Sequence, residues 1–176
     1  QMCIRDRYII MENKSNKVLV EMESGDSFVI ELYPEFAPKT VENFKTLVSK
    51  KFYNGLTFHR VIDGFMAQGG CPIGNGTGGS DENIVGEFKQ NGFVDNTLSH
   101  TRGVVSMARS MSPNSASSQF FICYDDASFL DGQYAAFGKV VEGMETVDKF
   151  LETERVGAEG GTPVTPIVIK SMSFAE

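Results

Sequence analysis

Two histidines and three cysteines are all that this 176-residue chain offers for soft metal chemistry. The cysteines, Cys3, Cys71 and Cys123, form no C-x-x-C pair and keep no Cys/His ligand spacing, so a zinc site or dithiol redox motif has no support and the thiols suit a reducing compartment. No apolar run approaches the roughly 20 residues that a membrane-spanning helix needs. Excess basic charge is lacking too. A net charge of -7 excludes a sequence-independent nucleic-acid binder, which must displace counterions with clustered Lys and Arg. The G-x-S-x-G turn that presents a nucleophilic serine does not occur, so a Ser/His/Asp hydrolase built on His59 and Asp63 lacks its platform. Gly74, Gly76 and Gly79 match G-x-G-x-x-G in form, but no helical stripe follows and no GK[ST] ending is present, so this stretch reads as a surface loop.

The hydrophobic content of 41% suffices for one core without metals or disulfides. Gln1 to Arg7 shows no periodicity, and its back-translation resembles the adaptor end used in transposase-based sequencing libraries. Residues 1–10 are therefore expected to be a non-native or disordered leader, with Met11 as the candidate start and residues 11–176 as a single domain.

Val18, Val20 and Met22 alternate with Leu19, Glu21 and Glu23, and after Ser24-Gly25-Asp26 the alternation resumes at Phe28, Ile30 and Leu32, which predicts a β-hairpin. Pro38 suits a first helical position, and Val41, Phe44, Leu47 and Val48 follow at helical spacing, so a helix is expected over 38–50. Short β-like runs follow at 57–62, 104–108, 119–123 and 135–141, then a helix at 144–152 and a last strand at 167–174. Many short strands and two helices point to a barrel or sandwich.

Arg60 is the residue that most needs explaining. It stands among Phe58, Val61 and Ile62 with no acidic residue within two positions, and a charge on an apolar surface costs several kcal/mol unless it is paired or used. On a regular strand His59 would point to the opposite face, which makes His59 a structural residue. The same alternation separates Phe120 from Phe121, so one of them can line a cavity while the other packs behind it.

Residues Phe58-His59-Arg60-Val61-Ile62-Asp63-Gly64-Phe65-Met66-Ala67-Gln68-Gly69-Gly70, then Gly103-Val104-Val105-Ser106-Met107-Ala108-Arg109, Ser118-Gln119-Phe120-Phe121-Ile122 and Phe137-Gly138-Lys139-Val140 together resemble the cyclophilin family of peptidyl-prolyl cis/trans isomerases. The resemblance runs from about residue 17 to 174 in the family's order. It implies a mainly β fold, a closed eight-stranded antiparallel β-barrel capped by two α-helices. It makes Arg60 the catalytic arginine and places Phe65, Met66, Phe121 and Leu130 around the proline pocket. Gln68 and Gln119 would hold the arginine and the peptide, and Ala108 and the Arg109 backbone would lie along the substrate. Phe129 stands where animal members usually have tryptophan, and Tyr134 where they have histidine; both look like bacterial members.

No cofactor and no metal are implied. The partners expected are proline-containing peptides and unfolded or folding proteins, with no nucleic acid or membrane, and the chain is expected to be a monomer. Cyclosporin binding is expected in weakened form, because Phe129 lacks the indole N–H that the family uses for it. Localisation is expected to be the bacterial cytoplasm, with secretion or the periplasm left open because an authentic N-terminus could lie upstream. The expected reaction is rotation about an X-Pro bond, which needs no general base. The rival is a proline-recognition module that binds in the same pocket without turnover.

Overall fold

A computed structural model describes residues 15–157 and 160–175, so the leader expected over residues 1–10, with Cys3, and the candidate start Met11 lie outside the described residues. The first elements are a hairpin. In β1 (Lys17–Met22) and β2 (Ser27–Leu32) alternate residues are buried, Val18, Val20 and Met22 on one strand and Phe28, Ile30 and Leu32 on the other. Between them Gly25, at φ 95°, takes the left-handed turn position.

Helix α1 (Pro38–Ser49) begins with proline, which loses nothing there because first-turn N–H groups have no intrahelical partner. Ala37 at the N-cap makes no side-chain capping bond. Glu87 supplies the acceptor from a distant segment, its Oε1 receiving Thr40 N at 2.6 Å and Thr40 Oγ1 at 2.7 Å. That buried carboxylate meets the positive end of the helix dipole. The apolar stripe of Val41, Phe44, Leu47 and Val48 is buried as expected, with the Phe44 ring 5.2 Å from Tyr53, 5.7 Å from Phe120 and 5.1 Å from Phe137.

The other strands are β3 (Phe58–Ile62), β4 (Met66–Gly69), β5 (Val104–Met107), β6 (Phe120–Cys123), β7 (Ala136–Glu142), the small pair β8 (Arg155–Val156) and β9 (Thr162–Pro163), and β10 (Ile169–Ala175). The main sheet runs β10-β1-β2-β7-β5-β6-β4-β3, antiparallel throughout. Helix α2 (Met144–Asp148) continues as a 3-10 turn over Lys149–Glu152, and its Val147 and the turn's Phe150 join the same core as α1. The expected strands and helices are present with ends shifted by a residue or two. β4, β8 and β9 are additions: β4, with sequence MAQG, has little β propensity, and β8 and β9 are two residues each.

The closed barrel implied by the family resemblance is not formed as a continuous ladder. β3 and β10, the outermost strands, are not ladder partners. The residues before them meet through one bridge, Thr57 with Val168, and through backbone bonds from Phe58 N to Ile167 O at 3.0 Å and from Ile169 N to Leu56 O at 2.8 Å. Beyond that seam β3 gives its edge to another segment, Val61 N donating to Gly161 O at 2.7 Å. Pro166, which has no N–H to offer, precedes β10 at the same seam. The result is a curled eight-stranded half-barrel.

Two apolar clusters use the two faces of this sheet. The larger one fills the curl and includes Phe120 and Ile122 of β6. The smaller one, Met66, Phe121, Cys123, Ala127 and Leu130, uses the alternate residues of the same strand and therefore lies on the opposite face.

Gly70, directly after β4, sits at φ 87°, and a Cβ there would come within 2.7 Å of the Ser118 carbonyl oxygen. Gly70→Ala is expected to cost about 2 kcal/mol through left-handed backbone strain and this overlap. The melting midpoint should fall by roughly 4–8 °C in calorimetry. An unchanged midpoint would refute the argument.

Candidate active site

The register of four strands assembles the site. Arg60 on β3 pairs with Gln68 on β4, Gln68 with Phe121 on β6, and Phe121 with Ser106 on β5. Cross-strand partners share a face, so these four residues form one row on the face away from the main core. The neighbouring row of Val61, Ala67, Ile122 and Val105 points into that core.

A bulge interrupts β3 where Phe58 pairs with Gly69 and Arg60 with Gln68, leaving His59 as the extra residue. His59 and Arg60 therefore do not take opposite faces as a regular strand would require. Both line a depression of about 610 Å³ with Gln68, Gly74, Arg109 and Thr162. His59 Nδ1 is buried and has no hydrogen-bond partner among the described residues. Burial, and then the charge of Arg60, hold its pKa below the usual histidine value.

Nine of the eleven residues singled out from the sequence line one cavity of about 120 Å³: Arg60, Phe65, Met66, Gln68, Ala108, Arg109, Phe121, Leu130 and Tyr134. Phe121 is thus the cavity phenylalanine and Phe120 the core one. Gln119 lines an adjoining cavity of about 220 Å³, which shares Gln68, Ala108 and Arg109 with the first. Phe129 stands at the edge, 66% exposed, its ring stacked 5.8 Å from that of Phe65. A further hollow of about 250 Å³, lined by Met22, Asp26, Lys149, Phe150 and Ile167 among others, shares no residue with these cavities.

Carboxamides link the arginine to a loop. Gln119 Nε2 donates to Gly76 O at 2.9 Å and Gly78 O at 2.7 Å, while its Oε1 accepts Gln68 Nε2 at 2.8 Å. Gln68 Oε1 then faces Arg60 Nη1 at 3.5 Å, the outer limit of a hydrogen bond. Arg109 turns its side chain aside: Nε and Nη2 donate to Gln133 O at 3.1 and 2.6 Å, and the guanidinium lies 4.6 Å from the Tyr134 ring centre and 4.9 Å from that of Phe88. Tyr134 in turn meets Phe121 edge-on at 5.8 Å.

Behind Phe121 lies a group that the sequence did not reveal. His100 Nδ1 is 2.8 Å from Asp131 Oδ1 and Nε2 is 2.9 Å from Ser106 Oγ, a Ser-His-Asp relay in geometry. His100 is 1% exposed and Ser106 0%, so no substrate reaches that hydroxyl and the relay is no hydrolase site. No local pattern announces it, since Asp131 is 31 residues from His100. The lining of the 120 Å³ cavity includes no carboxylate, imidazole, thiol or aliphatic hydroxyl. It can hold an apolar ring and donate hydrogen bonds to polar atoms attached to that ring, but it offers no nucleophile of those kinds.

Residues 17–174 match the family described as cyclophilin type peptidyl-prolyl cis-trans isomerase/CLD. A probable peptidyl-prolyl cis-trans isomerase of Brucella suis biovar 1 (strain 1330) is 46% identical over 163 residues, covering 86% of this chain and 78% of the relative. Peptidyl-prolyl cis-trans isomerase B of Bacillus subtilis (strain 168) is 46% identical over 124 residues, covering 70% and 82%. Among solved structures, a Cryptosporidium parvum cyclophilin type peptidyl-prolyl cis-trans isomerase superposes with a TM-score of 0.79 at 32% identity, over 92% of this chain and 98% of that one. A structure of the same protein in the presence of the dipeptide Ala-Pro gives 0.78 at 32% identity, over 91% and 99%.

Both described histidines resist protonation in the folded chain. Burial lowers the His100 pKa, with Asp131 opposing it in part, and burial with Arg60 lowers that of His59. Below about pH 6.5 the unfolded chain binds protons that the folded chain does not. Stability is therefore expected to be greatest above that value and to fall as pH drops toward the folded-state pKa values. Urea midpoints at pH 7 and pH 5 test the sign, and NMR titration of the two imidazoles should give midpoints below 6.5.

Proposed function

The chain belongs to the cyclophilin-type peptidyl-prolyl cis-trans isomerase family and is an isomerase of X-Pro bonds; on that premise we propose that the 120 Å³ cavity takes the proline ring and that Arg60 is the catalytic group. The observation that carries this reading is the meeting of nine residues, from β3, β4, β6 and the segments around them, in one small cavity.

Rotation about an X-Pro bond must break amide resonance, against a barrier of about 18–20 kcal/mol. In the twisted state the proline nitrogen becomes pyramidal and regains a lone pair. A donor aimed at that nitrogen binds the twisted state more tightly than the planar one, which is what lowers a barrier. Arg60 supplies the donor. Phe65, Met66, Phe121 and Leu130 grip the ring and keep water away, which strengthens the bond to the guanidinium. The residue before proline then swings along Ala108 and the Arg109 backbone, while Gln68 and Gln119 hold the arginine and the peptide. Proline-containing segments of folding proteins are the natural substrates on this reading, and the support for an Ala-Pro ligand is the dipeptide named with the related parasite structure.

A single preorganised donor is worth about 3–4 kcal/mol, so Arg60→Ala is expected to lower kcat/KM roughly 100- to 1000-fold. NMR exchange on an Ala-Pro-Phe reporter measures this without a coupling protease. A wild type that shifts the peptide's resonances without accelerating exchange would replace catalysis by simple proline recognition. Phe129→Trp, at a position whose ring stacks on Phe65, is expected to tighten cyclosporin binding by roughly 10-fold if the indole N–H adds about 1.4 kcal/mol. Equal affinities in calorimetry would remove Phe129 from the account.

A further inference from the structure

The buried imidazole of His100 spans two walls of the cavity that have no sequence connection. Ser106, which it meets through Nε2, is the cross-strand partner of Phe121. Asp131, which it meets through Nδ1, follows the 3-10 turn Ser128–Leu130 that carries Leu130. The imidazole itself lies nearly parallel to the Phe121 ring, at 6.0 Å and 17°. Asp131 Oδ1 also accepts His100 N at 2.7 Å, Asp131 Oδ2 accepts Ser99 Oγ at 2.5 Å, and Ala127 N donates to His100 O at 2.8 Å. The turn is thereby anchored to His100 through both backbone and side chain.

The chemistry dictates the proton positions. A carboxylate accepts only, so Nδ1 carries the hydrogen, and Nε2 accepts from the Ser106 hydroxyl. Both ring nitrogens are satisfied in this arrangement, although the residue is 1% exposed. Filling space behind Phe121 does not require a polar ring, and burying one costs free energy unless every polar atom is bonded. What a hydrogen-bonded imidazole adds over an apolar side chain is direction: it fixes β5, the Phe121 ring and the Leu130 turn relative to one another. The charged group that faces it is Asp131, whose charge, after burial, also raises the pKa of the Cys123 thiol.

We propose that His100 is a positioning residue for the proline pocket, holding Phe121 and Leu130 at their separation through its bonds to Ser106 and Asp131; this rests on reading the 120 Å³ cavity as the proline site. His100 touches no substrate. Its effect is on pocket shape, so its loss weakens substrate binding more than it slows the turnover of bound peptide.

The test compares wild type with His100→Leu, His100→Asn, Asp131→Ala and Arg60→Ala, at a temperature where each is folded. The readouts are kcat and KM by NMR exchange, Ala-Pro dipeptide affinity, and the Phe121 ring resonances. His100→Leu is expected to lower kcat/KM roughly 10-fold, chiefly through KM, within the roughly 100-fold that a 1 Å displacement of a positioned group can cost. Phe121 resonances should shift in step. Asn, whose amide nitrogen overlays Nδ1 and keeps the Asp131 bond, should recover most of the loss. Asp131→Ala should move KM and the Phe121 signals in the same direction. Because the Asp131 side chain is 37% exposed, this variant decides the matter if His100→Leu does not fold.

Unchanged KM and unchanged Phe121 signals in folded His100→Leu or Asp131→Ala would overturn the proposal while Arg60→Ala still lost activity. If wild type neither turns over the reporter nor binds Ala-Pro, the proline-site reading fails and this inference falls with it.

Discussion

Strand register is the constraint on which the site depends. Arg60, Gln68, Phe121 and Ser106 belong to four strands, and only their antiparallel alignment puts them in line. The side-chain period of a strand is two, so a slip of one residue exchanges faces. Such a slip would bring Val61, Ala67 or Ile122 to the cavity and drive a guanidinium or a carboxamide into the core. The rows are coupled in this sense: the aliphatic row holds the polar row in place because its own burial is lost with any other alignment.

The site therefore draws on core packing without standing in the core. β6 is buried on both faces, Phe120 and Ile122 inside the curl and Phe121 and Cys123 outside it. Covering the outer face takes the Leu130 turn, Ala127 and Tyr134, and these same groups wall the cavity or pack beside it. The cavity is the gap left where that second layer stays incomplete. On the β3 side the bulge at His59 lets Phe58 and Val61 both remain buried while the two residues between them, His59 and Arg60, line the outer depression.

Regular periodicity was readable along the chain; irregular and distant features were not. The first hairpin and α1 follow from the alternation at Val18 to Leu32 and the helical spacing at Val41 to Val48. The cavity residues followed from the motifs shared with a family, because spacing alone cannot bring residues 60, 108, 121 and 130 together. The bulge is not legible because one extra residue leaves no mark in composition, and regular alternation therefore assigns His59 to the wrong face. β4 escaped because Ala, Gln and Gly carry little strand signal and are held by neighbours on both sides. The open seam escaped because it depends on where Gly161 meets β3, a contact made by a segment 100 residues later. His100 looked like any other histidine until Ser106 and Asp131 closed around it.

The carboxamide chain from the glycine loop to the arginine has a direction. Two carbonyl oxygens, of Gly76 and Gly78, take both hydrogens of the Gln119 amide, which leaves its oxygen to face Gln68. Gln68 must then present its nitrogen to Gln119 and its oxygen to Arg60. Each amide is prevented from flipping by the one before it. The loop thus acts as the fixed end of a polarity relay: its carbonyls determine, at two removes, that the guanidinium meets an acceptor and not a competing donor. A loop with no charged side chain between residues 71 and 79 is consequently able to set the orientation of the charge at the centre of the site, and a turn of either carbonyl would be felt there without any motion of β3.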